Sequence, residues 1–141
     1  SGAQLLSETL KNLDRIKPTP QENESATYAP ILNREDGLID WSQNASDIGN
    51  RVRGFQPFPT VFTFYKHLRL TIWKAHSQQL DLDKKVVPGA ILKALNGEVL
   101  IGCGEDTVSS IEELQLEGKR RMDARAFLNG VKLMEGEKFG N

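Results

Sequence analysis

The sequence predicts a mainly β fold with small helices, arranged as a small, closed or nearly closed antiparallel barrel of five strands. Short runs rich in β-branched and aromatic residues recur after Pro59, as in half-buried strands. Asn96-Gly97 separates two of these runs and is a strong hairpin signal. Glycines stand at the bends between runs, which is typical of small barrels. The predicted strands are residues 60–65, 70–75, 86–95, 98–103 and 108–116.

Length and composition are those of one globular domain with a possible appendage. The 141 residues suffice to bury a core, and 18 Lys+Arg against 19 Asp+Glu leave a formal charge of −1. Any affinity for nucleic acid must therefore come from a local arrangement of charge. The single cysteine excludes an intrachain disulfide and fits a reducing compartment. No apolar run is long enough to cross a membrane, so we expect no membrane partner.

The N-terminal part predicts a helix followed by a linker. Leucine and isoleucine recur at three- and four-residue spacings over residues 4–17, and Pro18 stops the pattern. Residues 18–26 are polar and carry two prolines, which is typical of a linker. A single helix cannot bury its apolar stripe alone. It must lie on the following domain or belong to a neighbouring one.

An extended segment and a second helix precede the strands. Residues 28–39 are predicted to be extended, with a turn at Asp36-Gly37. Ser42 is the predicted N-cap of a three-turn helix that Gly54 ends before two prolines. Arg51 and Arg53 on this helix are two residues apart and so lie on different faces. At most one of them is well placed for any given ligand.

The strands are joined by predicted hairpins and one polar loop. Residues 66–69 link the first pair, residues 78–85 form the loop, and Asn96-Gly97 turns the third strand into the fourth. Gly102 and Gly104 indicate a bulge or a sharp corner. The last strand, 108–116, alternates imperfectly because Glu112 and Glu113 are adjacent.

A basic turn follows the last strand. Gly118 ends the strand, and Lys119, Arg120 and Arg121 are too close together for local partners to neutralise all three. Asp123 is the predicted N-cap of a short helix, residues 124–129, with Gly130 as a left-handed C-cap. Two interpretations stay open here. The turn is either a series of solvated surface charges or a rigid turn that holds positive charge in a fixed place.

The residue patterns of common active sites are absent. His67 and His76 lack the partners of a metal site, and Cys103 lies in an apolar run with no histidine nearby. Trp41 and Trp73 are interpreted as packing residues rather than as stacking platforms. We expect no catalytic residue and no metal ligand, so the chain alone is predicted to be inactive.

Six segments occur along residues 28–130: YAP at 28–30, EDGLIDWS at 35–42, RVRGFQPFP at 51–59, IWKA at 72–75, PG at 88–89 and LQLEGKRRM at 114–122. In this order they closely resemble the C-terminal domain of methionyl-tRNA formyltransferases. The resemblance implies an OB-like barrel. It also implies that residues 1–17 are the last helix of an N-terminal catalytic domain, residues 18–27 a linker and residues 28–141 the C-terminal domain.

The resemblance further implies partners and a site. In this family a Rossmann-like N-terminal domain carries the catalytic Asn, His and Asp and binds 10-formyltetrahydrofolate, and none of those motifs occurs here. No cofactor is thus expected in this chain. The expected partners are initiator methionyl-tRNA and the catalytic domain, in a monomer in the bacterial cytoplasm or, alternatively, an organelle. The implied tRNA-binding residues are Lys119, Arg120, Arg121 and Arg125, extended by Arg51 or Arg53 and by Lys74.

Two other roles are compatible with the same resemblance. The chain is alternatively the scaffold domain of a relative that formylates a sugar nucleotide or acts on folate, with no RNA role. It also fits a domain whose main work is packing against the catalytic domain, which is compatible with tRNA binding.

Overall fold

The structure is a computed structural model that describes residues 1–80 and 85–140. It divides into two compact units, Ser1–Ile31 and Leu32–Asn141. The predicted polar loop 78–85 lies in part outside the described residues.

The first unit contains one α-helix, α1 (Gly2–Lys11), and two short 3-10 helices, Leu13–Arg15 and Asn23–Ser25. The predicted helix 4–17 is therefore too long at its C-terminal end. Asn12 explains the early stop, because its side-chain amide donates to the Glu8 carbonyl at 2.9 Å. The Asn12 backbone N–H donates to the Glu8 and Thr9 carbonyls, so the chain tightens into a 3-10 turn.

In its described residues, the second unit combines two α-helices and one 3-10 helix, Glu35–Gly37, with a six-stranded antiparallel sheet. Its elements are α2 (Ala45–Gly54), β1 (Val61–Tyr65), β2 (Leu68–Gln78), β3 (Ile91–Leu95), β4 (Glu98–Gly102), β5 (Val108–Leu116), β6 (Met122–Asp123) and α3 (Ala124–Gly130). The strand order is β1-β2-β5-β4-β3, and β6 pairs with β5. The predicted mainly β, antiparallel fold with small helices is confirmed. The sixth strand, β6, has two residues and was not predicted.

The sheet is barrel-like but is not closed by hydrogen bonds. Within the described residues, β1 and β3 form the two ends of the pairing order and do not pair with each other. The C-terminal segment, residues 133–140, lies between them. Gly136 N–H donates to the Ile91 carbonyl of β3 at 2.9 Å, and Gly140 N–H donates to the Phe64 carbonyl of β1 at 2.8 Å. One segment thus contacts both edges of the open sheet.

The C-terminal segment also completes the core. Phe139 is 3% exposed, and its ring centroid lies 6.1 Å from that of Trp41 and 5.7 Å from that of Tyr65. Trp41 is buried, as predicted, and its indole N–H donates to Thr63 Oγ1 at 3.1 Å. The indole is therefore both packed and hydrogen-bonded, which is the favourable state of a buried tryptophan.

Two predicted helix caps are wrong and one is confirmed. Asn44, not Ser42, caps α2, because Asn44 Oδ1 accepts the Asp47 N–H at 2.9 Å. Ser42 is engaged elsewhere, since its N–H and hydroxyl both donate to Asp40 Oδ1. In α3, Asp123 Oδ1 accepts the Ala126 N–H at 2.7 Å, as predicted. Gly130 is the last helical residue of α3 and not a left-handed cap.

Gly104 allows the β4–β5 connection to lie against the segment before α2. A Cβ at this position would lie 1.7 Å from the Ser42 carbonyl oxygen, which is backbone and cannot rotate away. We expect Gly104→Ala to lower the free energy of unfolding by about 3 kcal/mol or more, since even ordinary overpacking costs 1–3 kcal/mol. Gly54→Ala is the matched control, because nothing lies within 4 Å of a Cβ there. Urea unfolding of both variants tests this, and equal midpoints would contradict it.

The C-terminal segment should contribute to stability through Phe139. We expect Phe139→Ala to cost about 3–5 kcal/mol, the range measured for buried phenylalanines. Met134, in the same segment, is 53% exposed, and Met134→Ala should change stability by less than about 0.5 kcal/mol. Thermal and urea unfolding provide the comparison. A small loss for Phe139→Ala would show that the segment is dispensable to the fold.

Candidate functional site

A groove of about 430 Å³ lies where α2 faces the β2–β5 pair. Three of the seven predicted site residues line it: Arg53, Lys74 and Arg121. We call it the basic groove. Its other lining residues are Val52, Gln56, Trp73, Ala75, His76 and Glu112.

The pairing of β2 with β5 shifts register among the residues that line the basic groove. Ile72 pairs with Leu114 and Lys74 with Glu113, but Ala75 pairs with Ile111. The shift explains why the alternation of β5 is broken, since Glu112 and Glu113 are both only half-buried. A regular strand would point one of two adjacent residues into the core. The bulge instead leaves both carboxylates outside the core.

Glu112 binds two side chains of β2, a lysine and a histidine. Its Oε2 contacts Lys74 Nζ, and its Oε1 lies 2.8 Å from His76 Nδ1. The hydrogen bond with Glu112 raises the pKa of the Lys74 ammonium. The same bond, assisted by His76, lowers the pKa of the Glu112 carboxyl. Both partners are therefore charged at neutral pH and hold each other in place.

Arg121 is fixed by a carboxylate and by an aromatic ring. Its Nε lies 2.7 Å and its Nη2 2.5 Å from Glu113 Oε2. The guanidinium carbon lies 4.8 Å from the centroid of Trp73, within the range of a cation–π contact. Trp73 is held in turn, because its indole N–H donates to Gln115 Oε1 at 3.1 Å. Trp73 is thus a packing residue beneath Arg121.

The basic turn is anchored at both ends but leaves two cations unpaired. The Gln115 side-chain amide donates to the Lys119 carbonyl at 2.9 Å, and Gly118 has a left-handed φ of 73°. Arg121, at the far end, is fixed as described. Within the described residues, the Lys119 and Arg120 side chains are exposed and form no hydrogen bond or ion pair. The turn therefore presents two free cations from a rigid base.

Arg51 and Arg125 do not line the basic groove, and Arg53, which does line it, is engaged by its own helix. Arg51 donates to the Asp36 carbonyl and lies 5.2 Å from the Phe55 ring centroid, so its guanidinium links α2 to the preceding segment. Arg53 contacts Asn50 Oδ1 from the groove side of α2. Arg125 lines a separate cleft of about 470 Å³ with the β3–β4 turn, where it lies against Gly97.

His76, Gln56 and the two glutamates were not predicted to belong to this region. The adjacent Glu112 and Glu113 were visible as a break in the alternation of β5. Their contacts with β2 and with the basic turn depend on the sheet register, which no local pattern shows. Three cations and Glu112 line the groove, and Glu113 binds one of those cations, Arg121, so these five charges sum to +1 before Lys119 and Arg120 are added.

Other sites receive no support from the described residues. Cys103 is fully buried, and burial raises the pKa of its thiol to about 12, which makes it a poor nucleophile. No cluster of three or more metal-ligating side chains occurs in residues 1–80 and 85–140. No helix in the same part of the chain is long and apolar enough to cross a membrane.

The sequence pattern of the family described as formyl transferase, C-terminal domain, matches residues 31–132. Methionyl-tRNA formyltransferase of Alkaliphilus oremlandii is 40% identical over 141 residues, covering 99% of this chain and 44% of that protein. The same enzyme of Caldanaerobacter subterraneus is 43% identical over 137 residues, covering 96% of this chain and 43% of that protein. The chain thus spans less than half the length of these relatives.

Solved structures share the fold at lower identity. A variant of HypX from Aquifex aeolicus matches with a TM-score of 0.55 and 24% identity, over 92% of this chain and 24% of that one. HypX in complex with tetrahydrofolic acid matches with a TM-score of 0.54 and 22% identity, over 98% of this chain and 26% of that one. At these identities the likeness concerns the fold alone.

The stacking of Arg121 on Trp73 can be measured by fluorescence. We expect Arg121→Ala to expose the Trp73 indole and to increase acrylamide quenching of tryptophan emission, while the buried Trp41 supplies a constant background. The free energy of unfolding should fall by no more than about 1 kcal/mol, because exposed ion pairs and cation–π contacts contribute little. Arg120→Ala is the matched control and should leave quenching unchanged. Equal quenching in both variants would contradict the observed contact.

Proposed function

The chain belongs to the formyl transferase C-terminal domain family, and we propose that it is the tRNA-binding C-terminal module of a methionyl-tRNA formyltransferase. The whole protein would transfer a formyl group from 10-formyltetrahydrofolate to methionyl initiator tRNA in translation initiation. This chain would supply no catalytic residue, because neither its sequence nor its described residues contain a candidate. Its contribution would be to hold the tRNA.

The arrangement of cations at one place is the observation that carries this proposal. Arg53, Lys74 and Arg121 line the basic groove, and Lys119 and Arg120 extend from the turn that Arg121 closes. Structured RNA is bound mostly through phosphates and shape, because its deep and narrow major groove hides the base edges. Five cations on rigid elements are suited to a row of phosphates. Arg125 would add a contact from the cleft beside the β3–β4 turn, whereas Arg51 would act by positioning α2.

The affinity of the isolated chain should be modest and strongly dependent on salt. The formal charge is −1, so no long-range attraction supports the local cations. Each phosphate contact contributes through the release of counterions, and this contribution falls as salt rises. We propose that the catalytic domain supplies further contacts, so that the C-terminal module mainly fixes the orientation of the tRNA.

The catalytic domain is also the proposed partner of the first unit. The apolar side chains of α1 and the following turn are exposed, with Leu5 at 66% and Leu13 at 60%. The matched relatives are more than twice as long as this chain. We propose that these side chains pack on the remainder of the protein. The whole protein would act as a monomer in the bacterial cytoplasm or, alternatively, in an organelle.

One observation favours a second role, as a scaffold domain without an RNA partner. Glu112 and Glu113 already bind Lys74 and Arg121, so two of the three groove cations are neutralised in the free chain. Under this alternative the domain would belong to a formyltransferase with a sugar-nucleotide or folate substrate. The unpaired Lys119 and Arg120 favour the RNA-binding role.

Fluorescence anisotropy with labelled initiator tRNA tests the proposal, in a salt series from low to physiological concentration. We expect Arg120→Ala with Arg121→Ala to weaken binding at least roughly tenfold and to reduce the salt slope by about 1–2, since each cation on a phosphate adds nearly one unit to the slope. The double variant should retain the fold of the unmodified chain, because cations in a turn contribute little to the packing of the core.

The matched control is Arg34→Ala with Lys93→Ala, which removes one exposed cation and one half-buried cation that is paired with Glu98, both outside the basic groove. This variant should bind nearly as well as the unmodified chain. Equal losses in both double variants would show that net charge matters and the basic turn does not. Absence of binding by the unmodified chain at low salt would favour the scaffold role.

A further inference from the structure

We propose that Glu112 and Glu113 are built-in competitors of RNA phosphate, which lower the affinity of the basic groove for RNA that does not fit it. This inference rests on the proposed tRNA-binding function and deepens it. The two carboxylates take positions on Lys74, His76 and Arg121 that phosphate oxygens would otherwise take. An RNA must therefore displace or share them before the groove contributes to binding.

Glu113 occupies the N–H donors of Arg121 that a phosphate would use. Guanidinium groups bind phosphate in a bidentate manner through two neighbouring N–H donors. In Arg121 the Nε and Nη2 donors both point to Glu113 Oε2, at 2.7 and 2.5 Å. One face of the guanidinium is covered by Trp73. A phosphate reaching this edge must replace a carboxylate that is already in contact with both donors.

Lys74 and His76 are occupied in the same way. The two oxygens of Glu112 divide between them, one on Lys74 Nζ and the other 2.8 Å from His76 Nδ1. Glu112 lies on β5, and both of its partners lie on the neighbouring strand β2. The carboxylate therefore holds the Lys74 and His76 side chains close together without any ligand. They are therefore preorganised for an anion, which reduces the entropy cost when phosphate replaces the carboxylate.

The cations of the basic turn behave differently. Lys119 and Arg120 have no carboxylate partner within the described residues. Any RNA can contact them without competition. Only an RNA whose backbone also enters the groove gains the additional contacts, because it must outcompete Glu112 and Glu113 with phosphates of its own. Interfaces commonly suppress wrong partners through such opposed charges.

The test is Glu112→Gln with Glu113→Gln, measured by anisotropy with initiator tRNA and with an elongator tRNA over a salt series. Glutamine retains the shape and one hydrogen-bonding oxygen but removes the charge. We expect the variant to bind initiator tRNA roughly tenfold more tightly at low salt, with a salt slope steeper by about 1–2, as the released cations meet phosphates. Binding of the elongator tRNA should increase by a smaller factor, because an RNA whose backbone does not enter the groove gains little from the released cations.

Glu98→Gln is the matched control, because Glu98 also pairs with a lysine, the half-buried Lys93, at 2.5 Å, but lies outside the groove. It should change affinity for either tRNA by less than about twofold. The single variants E112Q and E113Q, with urea unfolding of each, separate the two carboxylates and check the fold.

The outcomes distinguish this inference from the function on which it rests. If the unmodified chain binds tRNA and the two-glutamine variant binds no more tightly, the competition is refuted and the tRNA-binding function stands. An equal gain in Glu98→Gln would refute it as well, since a general charge effect would then suffice. If neither the unmodified chain nor the two-glutamine variant binds either tRNA at low salt, the proposed function and the inference both fail.

Discussion

The pairing of β2 with β5 is the constraint on which the rest of the structure depends. β5 also pairs with β4 and β6, so it is the strand through which most of the sheet is connected. Ile72 and Leu114, paired across this ladder, are both buried in the core. The register shift beside that pair turns Glu112 and Glu113 outward together. Core packing and the arrangement of surface charge are therefore set by the same few residues.

This coupling explains why a chain with a formal charge of −1 has an organised cationic region. The cations of the basic groove are few, but each is held by a carboxylate, a ring or a helix. Exposed ion pairs of this kind add little to stability. Their effect is on conformation, because they restrict side chains that would otherwise sample many rotamers. The fold thus fixes a charge pattern without requiring a large net charge.

Much of the fold was predictable from local patterns, and the exceptions have specific physical causes. The strand at 108–116 was predicted with its observed bounds, because Ile111, Leu114 and Leu116 suit a strand with one buried face even though Glu112 and Glu113 interrupt the alternation. The prediction of Ser42 as the N-cap of α2 was wrong because Ser42 donates both its N–H and its hydroxyl to Asp40 instead. Residue preferences for cap positions do not reveal such a competing contact. For the candidate site, the identities of Arg53, Lys74 and Arg121 were predicted, but not their convergence. That convergence depends on a register between strands more than thirty residues apart in sequence.

The C-terminal segment has a consequence for association between molecules. An open sheet presents unpaired backbone N–H and carbonyl groups along its outer strands, and such edges favour pairing with strands of other molecules. Here, residues 133–140 bond to β3 through Gly136 and Glu137 and to β1 through Gly140. Both edges are shielded by eight residues that lie beyond the part of the chain matched by the family pattern. Release of this segment would turn two covered edges into templates for aggregation.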